Sequence, residues 1–389
     1  MNILFVSDYY PDKAQPQHCI YIQQQAQALV QLGHQVEVIV PSYTYSLNEK
    51  IEKEMMAGLP VYYSEYFTLY KRIYCTAALK RNIRKFEQYI NFDQYEVLSF
   101  HMFDEFTLRI FTKIAKKHKI KMVVHYHGLS VLYNSQLPFK ARIMQKRGDR
   151  VLKKLVSKAN AIVGVSNKVC ERVKTHYENK QIFTVYNGVD TVLFKPVNKA
   201  ENNIFTIISV ASLKKIKGNH YLIEAVKMLI ERHGDRNIQL IIIGRGPEED
   251  NLKALVENLN MESVVRFVGY IKYQEVARIM QNCDIYAMPS YYEALGCVYL
   301  EAMACKLPVI GCLYQGIGEI IIDGQNGLLI EPHNVKQLFE KMEYLLQNPE
   351  KAKEIALNGY NTVVNGFTWR DSARSLLEVY KKVCNCGET

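Results

Sequence analysis

Two carboxylates eight residues apart flank what reads as a helix start. In Pro289-Ser290-Tyr291-Tyr292-Glu293-Ala294-Leu295-Gly296, running on into Cys297-Val298-Tyr299-Leu300-Glu301-Ala302-Met303-Ala304, an apolar strand has just ended at Met288. Ser290 to Leu295 is therefore expected as a loop and Gly296 to Ala304 as a helix. Free backbone N–H groups at such a point favour a phosphate, and Ala294 and Gly296 are small enough to let one approach. Glu293 and Glu301, on either side, are placed to accept hydrogen bonds from sugar hydroxyls. The bland reading makes Glu293 a first-turn acid and Glu301 a surface residue; the loop context favours the ligand.

The second chemical feature is Ala211-Ser212-Leu213-Lys214-Lys215-Ile216-Lys217-Gly218, directly after the apolar run Phe205 to Val210. A departing diphosphate gains negative charge, and an ammonium fixed beside it stabilises that charge. Lys217 is the first candidate; taken alone, three lysines in a turn are a solvated loop. Gly244-Arg245-Gly246-Pro247 closes another apolar run, but the third glycine of a dinucleotide fingerprint is replaced by Glu249, which disfavours a nicotinamide enzyme. His125-Tyr126-His127-Gly128 ends a strand of the first half. No acidic or cysteine partner stands at ligand spacing from these histidines, and the chain has no D-x-D. The expected site is metal-free and uses no cofactor beyond its substrate.

Placing these residues requires alternating strands and helices. Strands are expected at Ile3–Ser7, Val36–Val40, Val97–His101, Met122–Tyr126, Ala161–Val165 and Phe183–Tyr186, then at Phe205–Val210, Ile238–Ile243, Val264–Phe267, Ile285–Met288, Pro308–Gly311 and Leu328–Ile330. That alternation predicts α/β architecture with two doubly wound parallel sheets. Turn-rich sequence around Asn187-Gly188-Val189-Asp190 and Lys195-Pro196 suggests a boundary. The expected domains are 1–197, 198–367 and a closing helix, 368–389. In that helix Trp369, Ala373, Leu376, Leu377, Tyr380 and Val383 form an apolar face. Open α/β sheets bind ligands at the carboxyl ends of their strands, so both sets of ends are expected to face one central cleft.

Length and charge set the partners. The 389 residues exceed the size of a single core. No apolar run reaches the ~20 residues that span a bilayer, and the N-terminus does not read as a signal peptide. Nine cysteines without a C-x-x-C pair read as free thiols, which suits a cytoplasmic location. The whole of the +10 net charge falls in the first half, much of it in the expected helices Ala77–Ile90 and Phe139–Lys158. A basic amphipathic surface suits a peripheral place on an anionic membrane, although a solvated helix face accounts equally well for the pattern. No aromatic-interleaved basic motif points to nucleic acid.

Taken in order, Tyr10-Pro11, Leu32-Gly33-His34, His127-Gly128, Asn187-Gly188-Val189-Asp190, Lys217-Gly218, Gly244-Arg245-Gly246-Pro247, Pro289-Ser290, Glu293 with Glu301, Gly316-Ile317-Gly318-Glu319 and Asp323-Gly324 resemble the retaining family 4 glycosyltransferases (glycosyl transferases group 1). The resemblance covers nearly the whole chain and implies the GT-B fold, two Rossmann-like domains with the last helix crossing back to the first. It implies that Glu293 contacts the donor sugar, Glu301 the ribose hydroxyls and Lys217 the diphosphate. Ser212, Gly244 and Ala294-Leu295-Gly296 join the donor side, Gly269 to Ile271 lies where the base is held, and His127 borders the transferred sugar. His18 and Cys19 lie in the loop that borders the acceptor. Two positions depart from the family pattern: Ser212 replaces an arginine of the phosphate loop, and Cys19 stands where many relatives have glycine. The first half is most similar to bacterial enzymes of cell-surface polysaccharide synthesis, which implies a lipid-linked or oligosaccharide acceptor.

The expected activity is metal-independent, retaining transfer of a sugar from a nucleoside diphosphate sugar to an acceptor hydroxyl. Two competitors remain: a glycoside hydrolase using Glu293 and Glu301 as its pair, and a non-catalytic subunit that kept the fold.

Overall fold

The computed structural model describes residues 1–46, 50–68, 76–128, 150–178, 180–198, 204–233 and 237–385. The chain forms two compact units, Met1–Tyr186 with Trp369–Thr389, and Asn187–Thr368.

The first unit is built on one sheet. Its strands are β1 (Asn2–Val6), β2 (Gln35–Thr44), β3 (Ile51–Met56), β4 (Leu59–Phe67), β5 (Val97–Phe100), β6 (Lys121–Tyr126), β7 (Ala161–Gly164) and β8 (Ile182–Thr184), in the order β3-β4-β2-β1-β5-β6-β7-β8. The strands β1, β5, β6 and β7 are short and almost wholly buried, as expected of parallel strands covered on both faces. Ile3 lies opposite Val36 on one side and Val97 on the other. The chain leaves β1 to build one side of the sheet and returns beside β1 as β5, so the order reverses between these two strands.

The hairpin β3–β4 was not foreseen. β3 is a sheet edge reading Ile-Glu-Lys-Glu-Met-Met, mostly solvent-facing, so it carries no apolar run. It joins β4 through Ala57-Gly58, both at positive φ, as a two-residue hairpin loop demands.

The first helix, Ile20–Gln31, buries Ile22, Ala26 and Leu29 against the sheet. The closing helix, Trp369–Asn385, packs beside it and buries Ala373, Leu376, Leu377, Tyr380 and Val383 into the core around Phe5, Val38 and Val123. Gln25 Nε2 donates to Ser372 Oγ at 3.1 Å between the two helices. Each fully buried leucine in that face contributes about 1.5–3 kcal/mol, which ties the end of the chain to the first unit.

The second unit has six parallel strands, β9 (Phe205–Val210), β10 (Ile238–Ile243), β11 (Val265–Gly269), β12 (Ile285–Ala287), β13 (Val309–Cys312) and β14 (Leu328–Ile330), ordered β11-β10-β9-β12-β13-β14. This is the dinucleotide-fold order, whose switch point lies between β9 and β12. Ile207, Leu240, Ile285 and Ile310 are sealed from solvent in its core by the helices Asn219–His233 and Val335–Gln347. The segment after Tyr186 also belongs here: Val189 N–H donates to Phe367 O at 2.9 Å, and Gln281 Nε2 donates to Leu193 O at 3.2 Å.

Of the expected basic helices, the first is Thr76–Tyr89, with Lys80, Arg81 and Arg84 exposed and Leu79 and Phe86 buried. Residues 139–149 of the second, including Lys140, Arg142, Lys146 and Arg147, lie outside the described residues. Among the described residues no helix is long and apolar enough to cross a membrane.

Candidate active site

At the switch point of the second unit the loops after β9 and β12 are pressed together. Gly218 takes φ 73°, and a Cβ there would meet Pro289 O at 2.3 Å, so only glycine fits. Tyr291 N–H and Ser290 Oγ both donate to Ile216 O, at 3.1 Å each. This lacing brings the Lys217 ammonium onto the Glu293 carboxylate as an ion pair, with both side chains largely shielded from solvent. Sequence spacing had separated these two residues by a helix, a strand and more; the sheet order joins them.

The far side of Glu293 is held by the loop after β13. Gln315 Oε1 accepts the Glu293 N–H at 3.0 Å, and Gly316 N–H donates to Glu293 O at 3.3 Å. The helix Cys297–Ala304 then begins at Gly296, φ 85°, with no side chain capping it. Ala294, Leu295 and Gly296 thus line an uncapped helix start beside the Lys217–Glu293 pair.

Glu301 is not a surface residue. It is 6% exposed, burial pushes its carboxyl up to about 7, and the Tyr273 hydroxyl, donating to Oε1 at 2.7 Å, pulls the other way. Cys297 beside it accepts from Asn187 Nδ2 at 3.3 Å. Burial pushes its thiol up to about 12, so it is no thiolate nucleophile.

The remaining donor-side candidates lie along the same strand ends. Gly244 N–H donates to Gly269 O at 2.9 Å, closing β10 on β11. Ser212 is exposed in the loop after β9, and Ile271 is half-buried just past β11. Sequence reasoning missed Tyr273 and Gln315. Tyr273 carried no motif, whereas Gln315 directly precedes the Gly316–Glu319 motif, the one signal that could have found it.

His18, Cys19 and His127 lie in the first unit. Cys19 caps the first helix in the left-handed region, φ 54°, a conformation natural to glycine. His18 lines a cavity of about 490 Å³ with Asp8, Tyr10, Asp12 and Tyr63 near the end of β1. His127 follows β6, its ring 4.7 Å from that of Tyr21. Its ring runs nearly parallel to that of His125, its partner in the sequence motif, and to that of His101, which sequence spacing did not bring to it.

Comparison with known sequences matches residues 20–193 to the glycosyltransferase family 4 model and residues 191–362 to the glycosyl transferases group 1 model. The chain belongs to the family 4 glycosyltransferases. It is 30% identical over 237 residues to an uncharacterized glycosyltransferase of Methanocaldococcus jannaschii, covering 61% of this chain and 64% of that one. It is 30% identical over 207 residues to a D-inositol 3-phosphate glycosyltransferase of an Arthrobacter species, covering 50% of this chain and 48% of that one. The match therefore spans about half to two thirds of the length of these relatives. Among solved structures, the Anabaena protein HepE, crystallised with UDP, superposes with a TM-score of 0.72 at 18% identity, covering 98% of this chain and all of that one. That likeness establishes the GT-B fold. The closing helix, returning to the first unit, accords with it.

Proposed function

We propose that this family 4 glycosyltransferase moves a sugar from a nucleoside diphosphate sugar to an acceptor hydroxyl, with retention and without a metal. The Lys217–Glu293 pair at the switch point carries the reading. The second unit holds the donor. Lys217 and the uncapped amides of the helix start neutralise the diphosphate, Glu293 accepts from sugar hydroxyls once the ammonium turns to phosphate, and Glu301 accepts from the ribose. Ser212, Gly244, Gly269 and Ile271 line the path towards the base. The UDP in the similar Anabaena structure favours a uridine donor. The bond from the anomeric carbon to the phosphate oxygen breaks as the acceptor oxygen bonds the same face of that carbon, and the acceptor proton passes to the departing phosphate oxygen. No protein base is needed.

The first unit receives the acceptor, with His18 and Cys19 beside the cavity after β1 and His127 bordering the sugar. A lipid-linked glycan suits the exposed Lys80, Arg81 and Arg84, which would rest on an anionic membrane from the cytoplasmic side. A hydrolase reading leaves Lys217 without a task, since it would bind one of the two carboxylates that such chemistry needs free.

The test is a panel of nucleotide-sugars, with UDP-sugars first, offered beside simple aryl glycosides, in the presence and absence of anionic vesicles. Nucleotide release from a UDP-sugar, with salt-sensitive sedimentation on the vesicles, is expected. Cleavage of the glycosides alone would overturn the transferase reading, and tight nucleotide binding with no turnover under any condition would favour a non-catalytic subunit.

A further inference from the structure

The turn that carries Lys217 has little of its own to hold it. Lys215–Lys217 is one short 3-10 turn with no buried side chain, and Lys214 and Lys215 face solvent. Its position is set from outside, by the loop after β12, whose Tyr291 N–H and Ser290 Oγ both donate to Ile216 O. That loop is gripped in its turn by the ring of Tyr291.

Three rings from three parts of the second unit meet there. The centroids of Tyr291 and His333 are 4.2 Å apart, those of Tyr221 and His333 are 5.4 Å apart edge to face, and those of Tyr221 and Tyr291 are 6.4 Å apart. The Tyr221 hydroxyl lies 2.8 Å from His333 Nδ1. Tyr221 stands in the first turn of the helix that follows Lys217, Tyr291 two residues before Glu293, and His333 in the loop after β14. His333 is anchored from both sides. Glu331 N–H donates to Gln337 Oε1 at 2.7 Å and Gln337 N–H to Asn334 Oδ1 at 2.9 Å, which ties its neighbours to the helix Val335–Gln347. That helix packs along Asn219–His233, so Tyr221 and His333 come together at neighbouring helix starts while Tyr291 reaches them from the end of β12.

Burial does not account for the imidazole. His333 is exposed, and its backbone takes φ 64°, the left-handed region where glycine is at ease and an L side chain is strained. An exposed position with that backbone favours glycine, and a ring there adds only what it touches. Aromatic pairs at these separations attract beyond their burial, and the bond between hydroxyl and imidazole gives the three rings one fixed arrangement.

We propose that Tyr221, Tyr291 and His333 are positioning residues that clasp the Lys217 turn to the Glu293 loop and so hold the ammonium in place for a nucleoside diphosphate. The inference rests on the reading of the second unit as the donor site. Loosening the Tyr291 ring frees its N–H, then Ile216 O, then the ammonium one residue further on. A bound diphosphate draws the turn back into place, so the clasp governs how tightly the donor is taken up and far less how fast it turns over once bound.

His333→Gly removes the ring and the backbone strain together, which separates this role from a merely structural one. Its melting temperature should stay level or rise. Hydrogen exchange of the Tyr291 amide in the full chain without ligand should quicken about tenfold, the scale of one hydrogen bond and one ring contact. Calorimetric Kd for UDP and the KM for UDP-glucose should each rise by about the same factor, with kcat little changed. Tyr221→Phe keeps the ring and loses the hydroxyl, so its rise should be about threefold. The double variant should be no worse than His333→Gly alone, because the hydroxyl then has no partner. An unchanged amide exchange rate would overturn the clasp, as would full additivity in the double variant. A lowered melting temperature with UDP affinity unchanged would also overturn it, since the three rings would then brace the fold alone. Failure of the unaltered chain to bind either nucleotide would overturn the reading of the second unit, and this inference with it.

Discussion

Lys217 and Glu293 hold each other in the absence of donor, and that pairing explains how a lysine can sit ready in a loop. An ammonium tethered to a partly buried carboxylate does not wander, and an incoming diphosphate offers it a doubly charged partner in place of a singly charged one. Removing the ammonium leaves Glu293 as an uncompensated anion beside the phosphate, so Lys217→Ala loses a stabilising charge and gains a repulsive one. A fall in kcat of about 10²-fold or more is expected, the scale of a lost electrostatic stabiliser. Steady-state kinetics at saturating donor checks it, and near-normal turnover would remove Lys217 from the reaction. Glu293→Gln in the same background should recover part of the loss, because it takes away the repulsion but not the missing cation.

At the scale of elements, the site is a matter of loops that touch through glycines. A Cβ at Gly316 would meet Ala294 O at 1.8 Å and Leu295 Cα at 2.7 Å, so Gly316→Ala must push the Glu293–Gly296 loop away from the loop after β13. Destabilisation of about 1–3 kcal/mol is expected from overpacking, with a donor KM raised about tenfold as Glu293 moves. A thermal melt and a donor titration read the two effects, and an unchanged KM would show that this loop does not bear on the donor. The strands that place these loops were legible in the sequence because they are buried on both faces and read as unbroken apolar runs, as in Ile238–Ile243. The edge hairpin was not legible, since Glu52 and Lys53 face solvent, Glu54 is only half-buried, and the strand leaves no apolar pattern. For the same reason the sequence offered Glu293 and Lys217 as separate candidates: their meeting depends on strand order, which spacing does not encode. Glu301 was found by its distance from Glu293, while the Tyr273 hydroxyl that holds it comes from a helix in another part of the chain.

The two units keep ionisable groups in opposite kinds of discomfort, and the molecule as a whole should show it in its response to pH. In the first unit His101, His125 and His127 are buried neutral, with folded pKa values below the ordinary 6.5. Unfolding lets them take up protons below pH 6.5, so this unit is at full strength above that value and weakens as the pH falls. In the second unit the Glu301 carboxyl is raised from 4.5 to about 7. Its contribution is intact below pH 4.5 and is lost as the pH rises through 7, at most about 3 kcal/mol for a group so fully buried. Raising the pH from 5 to 8 should therefore strengthen the first unit and weaken the second. Glu301→Gln, which keeps an acceptor for Tyr273 but carries no charge, should remove the second effect alone and raise the stability of that unit at pH 8 while leaving it unchanged near pH 4.5. The same variant should bind nucleotide more weakly at pH 8, because a neutral amide is a poorer acceptor for two ribose hydroxyls than a carboxylate. Scanning calorimetry across this range, paired with UDP titrations, tests both halves together. A gain in stability with no loss of UDP affinity would mean that burial of Glu301 serves the fold and not the ligand, whereas the opposed changes expected here would mark a site that gives up stability to hold its substrate.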